Sequence, residues 1–389
     1  MQQFTERLLT WFKLHGRHHL PWQEDPTPYR VWISEVMLQQ TQVGTVIPYY
    51  ERFIARFPDA AALAAAPLDE VLHLWTGLGY YARARNLRAC AQVLTARYGG
   101  EFPKDIVSVM ALPGIGRSTA GALLALSRDE RHPILDGNAK RVLARVFGIA
   151  GDPNSAPVLA TLWAQADACT PAVQVRDYTQ AIMDLGATVC SRTRPACTIC
   201  PMSNDCIAAL EGRQRELPGK KQTRARGTRQ ATLLIAETVI AATDGGSPAV
   251  LVERRPAAGL WGGLWSPPQF ESEFAALDWV RREFGEPEKG SQRLKPIHHA
   301  FTHFDLRLNP LRVHCPASDA LRDANGVRHG NVVRDGDDRF WYQLDDPPRV
   351  GLPQPILKLF QRLRAAAADA DADVDVDNDA DADAGSGAG

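Results

Sequence analysis

Apolar residues in the first half of the chain recur at the spacing of a helix. Phe4, Leu8, Trp11 and Phe12 fall on one face of a repeat of about 3.6 residues, as do Val142, Leu143, Val146 and Phe147. Glycine and proline breaks such as Pro113-Gly114 and Gly151-Asp152-Pro153 separate these segments. The pattern predicts a mostly helical domain over residues 1–212. Beyond residue 230 the texture changes. Ala231-Thr-Leu-Leu-Ile-Ala, Ala249-Val-Leu-Val-Glu and Arg339-Phe-Trp-Tyr-Gln-Leu are short runs rich in strand formers. Helices are predicted near Phe274–Phe284 and Pro355–Leu363, so residues 231–364 read as an α+β domain. The fold class is therefore multidomain: an all-α domain followed by an α+β one. Residues 213–230 form a basic linker. Arg213 to Arg229 hold seven Lys or Arg against one Glu. Residues 365–389 alternate Ala or Val with Asp, offer no core, and are expected to be disordered.

Composition sharpens this picture. With 389 residues and 45% apolar content, two cores are within reach. No apolar run approaches the roughly 18 residues of a membrane helix, and the start lacks the basic patch and apolar stretch of a signal peptide. The chain is expected to be soluble and cytoplasmic, in a bacterium. Its net charge of −1 hides an asymmetry: without the eight Asp of the tail, the remaining chain stands at +7. A basic body suits a polyanionic partner, although ordinary charge scatter gives the same balance.

Four of the seven cysteines fall close together, Cys190, Cys197, Cys200 and Cys206, with gaps of six, two and five residues. Such a quartet binds an iron–sulfur cluster or zinc. Zinc ribbons show two close pairs, and only Cys197 and Cys200 are close here, so the spacing favours a [4Fe–4S] cluster. Its expected role is to fix the loop 190–206. Cys90, Cys169 and Cys315 are scattered and read as small buried apolar groups.

Leu112-Pro-Gly-Ile-Gly-Arg-Ser lies between two helical stretches. Gly114 and Gly116 permit a tight turn and close backbone approach. The helix expected to begin near Ser118 aims free N–H groups at whatever sits there, which suits a DNA phosphate; a plain helix–helix turn has the same letters. Two carboxyls stand in contrasting contexts. Glu35 shares a predicted helix face with Val31, Trp32 and Leu38, and desolvation there raises its pKa. Asp136 precedes an amphipathic helix whose dipole and N–H groups favour the ionised form. One carboxyl held neutral and one held charged make an acid and a cation stabiliser. Taken singly, Asp136 is a helix cap and Glu35 a surface acid.

Together these pieces resemble the helix–hairpin–helix DNA glycosylases, and within them the MutY-type adenine glycosylases. Leu20-Pro-Trp, Ser34-Glu-Val-Met-Leu-Gln-Gln-Thr, Gly77-Leu-Gly-Tyr-Tyr-Ala-Arg-Ala, Leu112-Pro-Gly-Ile-Gly, Leu135-Asp-Gly-Asn, Met183-Asp-Leu-Gly-Ala and the cysteine spacing carry the resemblance. It runs through nearly the whole chain except the tail. It implies excision of adenine mispaired with 8-oxoguanine or guanine in duplex DNA, by a monomer. Glu35 would protonate adenine N7, Asp136 would stabilise the oxocarbenium-like sugar, and Asn138 would orient the site. Trp22, Gln180 and Met183 look like adenine-pocket residues. Gln40 and Tyr80 look like the wedge that fills the duplex, with Thr41 and Leu78 beside the opposing base.

Endonuclease III-like relatives carry an attacking lysine where this chain has Ser118. Without an amine there, no Schiff base forms, so a monofunctional glycosylase is expected. Lys140 reads as a helix-pair or phosphate contact. The second domain resembles a Nudix fold without the carboxylate cluster that hydrolysis needs to hold Mg²⁺; only Trp279-Val-Arg-Arg-Glu-Phe-Gly follows Gly262-Gly263. It is expected to recognise 8-oxoguanine through Phe301-Thr302-His303, where the family has Phe-Ser-His. A bifunctional lyase and a non-catalytic iron–sulfur DNA-binding protein are the alternatives.

Overall fold

The computed structural model describes residues 2–219, 226–242, 245–301, 303–315 and 338–366. Thr302 and the acidic tail lie outside the described residues, as does part of the basic linker. The chain forms two compact units: Met1–Ala66 with Ala82–Arg224, and Pro67–Tyr81 with Ala225–Gly389.

The first unit is helical. Helix Gln2–His15 buries the predicted stripe of Phe4, Leu8, Trp11 and Phe12. That stripe joins a core with Val142, Leu143 and Val146 from helix Gly137–Val146, and with Tyr178 and Ile182 from helix Val175–Asp184. Met202, Cys206 and Ala208 belong to the same core, so the cysteine-rich loop is packed onto it. Helix Pro28–Leu38 starts at Thr27, whose side chain accepts the N–H of Arg30, and has Pro28 at its first position. It buries Trp32, Ile33 and Met37.

The end of that helix is held by a buried arginine. Arg83, 9% exposed, donates through one nitrogen to the carbonyls of Val36, Met37 and Gln39 at 2.7–2.8 Å. A guanidinium thus satisfies carbonyls that the last turn leaves open and offsets the negative end of the helix dipole. Helix Arg117–Arg128 follows the hairpin, with Gly116 as its N-cap. Gly114 has φ +76°, and a Cβ there would meet Asn86 at 2.7 Å. Gly116 has φ −90° and open space around it, so only the first hairpin glycine is required by conformation.

The second unit is built on a mixed sheet. Among the described residues it has eight strands: β1 Gly227–Ala242, β2 Gly245–Arg254, β3 Trp265–Ser266, β4 Gln269–Phe270, β5 Gln292–Arg293, β6 Ile297–Ala300, β7 Phe304–His314 and β8 Arg339–Gln343. The central order is β3-β2-β1-β7-β5, with β4 on β1, β6 on β7 and β8 on β2. β1 and β7 pair in parallel, Gly227 opposite Phe304 through Glu237 opposite His314, and the other pairs are antiparallel. Helix Glu273–Phe284 packs Ala276 and Val280 on Leu234, Leu251 and Val313. The second predicted helix spans 354–366.

Segment Pro67–Tyr81 is tied to this sheet by specific contacts. Asp69 takes a bidentate pair from Arg254 at 2.9 and 3.2 Å and the indole N–H of Trp265 at 2.9 Å. Tyr81 donates its hydroxyl to the carbonyl of Leu352 at 2.9 Å. A side chain on Gly351 would collide with Leu72. Among the described residues, no helix is long and apolar enough to cross a membrane.

Candidate active site

Glu35 sits three residues before the end of helix Pro28–Leu38, whose Trp32, Val36 and Met37 are buried. It keeps some accessible surface, yet burial pushes its carboxyl up to about 8, and the nearby charge of Asp136 adds to the rise. Asp136 is the N-cap of helix Gly137–Val146 and accepts the N–H of Ala139 at 2.7 Å. Burial raises its carboxyl too, against the sequence reading, which weighs only the helix dipole and N–H groups and so favours the ionised form. The backbone N–H groups of Ala139 and Asn138, the Arg141 charge and the Asn138 side chain oppose that rise. Burial and the negative charge of Asp136 both push Glu35 up. Of the two, Asp136 is therefore equipped to hold the charge and Glu35 the proton. The cap role and the chemical role of Asp136 are compatible: the same N–H bond that starts the helix favours the carboxylate.

Asn138 accepts from Arg141 at 2.8 Å, and Arg141 also donates to the carbonyls of Gly186 at 2.6 Å and Cys190 at 2.8 Å. Gly186 leaves no room for a side chain, since a Cβ would stand 2.5 Å from Asn138. Ser118 is engaged by the backbone. Its hydroxyl accepts the N–H of Leu135 at 2.9 Å and so braces the residue before Asp136. Lys140 donates to Asn154 at 3.1 Å.

The expected pocket residues are enclosed: Trp22 is 4% exposed and Gln180 7%, and Met183 is partly buried on the core. Trp22 meets Tyr50 edge-on at 5.3 Å. Gln180 donates to Asp184 at 2.8 Å. The wedge candidates share a backbone signature in their separate units. Gln40 has φ +60° and is exposed; Tyr80 has φ +49° and is 50% exposed. Such non-glycine geometry is costly and gathers at functional sites. Thr41 follows Gln40 and lies within reach of Arg83 at 3.4 Å. Leu78 is 7% exposed, in a turn closed by the Trp75 indole on the carbonyl of Gly79 at 3.0 Å.

Cys190, Cys197, Cys200 and Cys206 line one cavity, walled by Val142, Val146, Leu185 and Val189. Buried Arg145 reaches the carbonyls of Ser191 and Leu217 at 2.7 and 2.9 Å and the Cys190 sulfur at 3.3 Å. Burial pushes the Cys200 thiol up to about 11, with the other three cysteines adding to it. Among the described residues, no group of three or more His, Cys, Asp or Glu stands close enough to hold a metal ion. Four thiols lining one space are the donor set of an iron–sulfur cluster or of zinc.

In the second unit, Phe301 stacks on Phe304 at 4.9 Å and meets His299 at 4.5 Å and Trp261 at 5.9 Å. Arg229 covers Phe304 at 4.3 Å. His303 is exposed.

Sequence reading missed the charged residues that act from within: Arg83, Arg141, Arg145 and Asp184. Arg141 and Arg145 stand one turn apart on the Asp136 helix, a spacing that in the sequence looks like a solvated face.

A helical domain with a hairpin, a half-buried carboxyl pair and a four-cysteine loop, followed by a mixed sheet, defines a base-excision glycosylase with an appended Nudix-like domain. Residues 33–166 match the HhH-GPD superfamily of base excision DNA repair proteins, and residues 238–362 match a NUDIX domain. The chain is 34% identical over 361 residues to an adenine DNA glycosylase of Buchnera aphidicola subsp. Acyrthosiphon pisum, covering 93% of this chain and 97% of that one. It is 36% identical over 355 residues to the adenine DNA glycosylase of Mus musculus, covering 78% and 69%. A thermostable thymine-DNA glycosylase structure superposes with TM-score 0.50 at 28% identity, over 54% of this chain and 96% of that one. The chain belongs to the adenine DNA glycosylase family.

Proposed function

We propose that this enzyme hydrolyses the N-glycosidic bond of adenine paired with 8-oxoguanine, and less efficiently with guanine, in duplex DNA. The carrying observation is the carboxyl pair: Glu35, pushed up to about 8 beside Asp136, is protonated at neutral pH. Glu35 gives its proton to N7 of the flipped adenine and makes it a leaving group. Asp136 holds negative charge against the cationic sugar, with Asn138 fixed beside it by Arg141. Ser118, occupied with the Leu135 N–H, supplies no amine, so the reaction stops at an abasic site. Trp22, Gln180 and Met183 enclose the adenine, and Gln40 and Tyr80 fill the space that it leaves. The hairpin around Gly114 and Gly116 receives a phosphate.

The four cysteines hold a [4Fe–4S] cluster, supported by their shared cavity and by the buried cation Arg145 at the Cys190 sulfur. When bound, the cluster cross-links residues 190–206. The second unit reads the oxidised guanine with Phe301, Thr302 and His303.

The test is a duplex bearing one adenine opposite 8-oxoguanine. Alkali-labile sites at that adenine, with no strand break before alkali, are expected. Absence of alkali-labile sites overturns the proposal, and breaks before alkali overturn its monofunctional part.

A further inference from the structure

Asp184 closes helix Val175–Asp184 and is 1% exposed. It accepts four hydrogen bonds. Arg17 supplies three, from its backbone N–H at 2.7 Å and its guanidinium at 2.9 and 2.5 Å. The fourth comes from Nε2 of Gln180 at 2.8 Å. A carboxylate only accepts, so the amide end of Gln180 that touches it must be the NH₂ group. The ambiguity of a side-chain amide is thereby removed by chemistry. The opposite end of Gln180 is then a carbonyl oxygen, an acceptor.

The same carboxylate organises a second stretch of chain. Arg17 offers its carbonyl to Nε2 of Gln23 at 2.9 Å, while Oε1 of Gln23 takes the N–H of Leu20 at 2.9 Å. This bracket fixes the short turn Pro21–Gln23 that carries Trp22. The ion pair on buried Asp184 thus joins the two segments that carry the three pocket residues, Trp22 on one and Gln180 and Met183 on the other.

We propose that Asp184 is a specificity-positioning residue. It locks the Gln180 amide with its acceptor toward the base, so that the pocket matches a purine with a donor at C6 and opposes one with a carbonyl there. The inference rests on the adenine-excision reading above. It adds what makes the pocket prefer adenine's amine over the C6 carbonyl of hypoxanthine, its deamination product.

The experiment measures single-turnover release of adenine and of hypoxanthine, each opposite 8-oxoguanine, by the full chain and by variants. Asp184→Asn keeps the shape but can donate to Gln180, which frees the amide to turn over. The adenine-to-hypoxanthine rate ratio is expected to fall at least tenfold, as it should in Gln180→Ala. Combining the two changes should lower it no further, because both remove one reader. If folded Asp184→Asn slows both bases by the same factor, Asp184 is only a brace and the proposal is overturned. An unchanged ratio in Gln180→Ala overturns it as well. Should Asp184→Asn fail to fold because Arg17 is left unpaired, Arg17→Gln with Asp184→Asn removes that charge, and the same ratio decides. A native chain that releases no adenine at all contradicts the underlying reading instead.

Discussion

The two units differ in the charge gathered at their candidate sites. In the helical unit, charged groups are drawn inward: Arg83 at a helix end, Arg145 at the cysteine loop, Arg17 with Asp184, and Glu35 beside Asp136. In the sheet unit, Asp69 and Glu237 are held inward by Arg254 and Arg312 as braces of the sheet, Glu273 with Arg293 and Arg281 with Glu286 sit at the surface, and the candidate site near Phe301 is a gathering of aromatic rings. Exposed pairs contribute little to stability. Buried ones are expensive to assemble, and a chain retains them where they position chemistry. The contrast accords with the proposal that the first unit breaks the bond and the second reads the opposing base.

The largest effect that would break this contrast is at Glu35. Glu35→Gln is expected to lower single-turnover excision by about 10²–10⁴, the range of a general acid, while lesion DNA is still bound. It should also raise the melting temperature. A carboxyl whose folded pKa is raised destabilises the folded state above its unfolded pKa, so the gain should be small near pH 4 and grow until pH passes about 8. Retained excision would remove Glu35 from the acid role.

Next is the cysteine loop. Cys200→Ala should lose iron and the visible absorbance of the cluster and should loosen residues 190–206 to protease. Full iron content, or zinc in its place, would contradict the assignment.

A smaller effect is expected from Asp69→Ala, which strips Arg254 and Trp265 of a shared partner. It should destabilise the second unit by about 1–3 kcal/mol and leave the chemical step at saturating enzyme unchanged. A large drop in that step would blur the division of labour. The smallest change is Phe301→Ala, expected to narrow the preference for 8-oxoguanine over guanine by about tenfold, the order of one lost stacking contact. An unchanged ratio would place recognition elsewhere.

Much of this was legible in the sequence. Amphipathic spacing marked the helices around Phe4 and Val142, strand formers marked β1, β2 and β8, and Glu35 and Asp136 stood out by context. Two kinds of feature were not. Pro67–Tyr81 falls within the stretch 1–212 read as one helical domain, because its anchor to the sheet is Asp69 meeting Arg254, a pairing with no local signature. Asp184 and Arg83 look like ordinary charges on helices, since their partners are carbonyls and side chains that only the fold brings near. The left-handed backbone at Gln40 and Tyr80 is similarly silent, because neither residue type announces it. β1 begins at Gly227, earlier than its apolar run, because its first residues are exposed and polar.

The central claim is that Glu35 carries the proton beside a charged Asp136, and the pH dependence of single-turnover excision tests it most directly. The rate should hold through neutral pH and fall as pH rises through about 8, where Glu35 gives up its proton. A rate that stays flat from pH 6 to about 10, or that climbs through about 8, would contradict it.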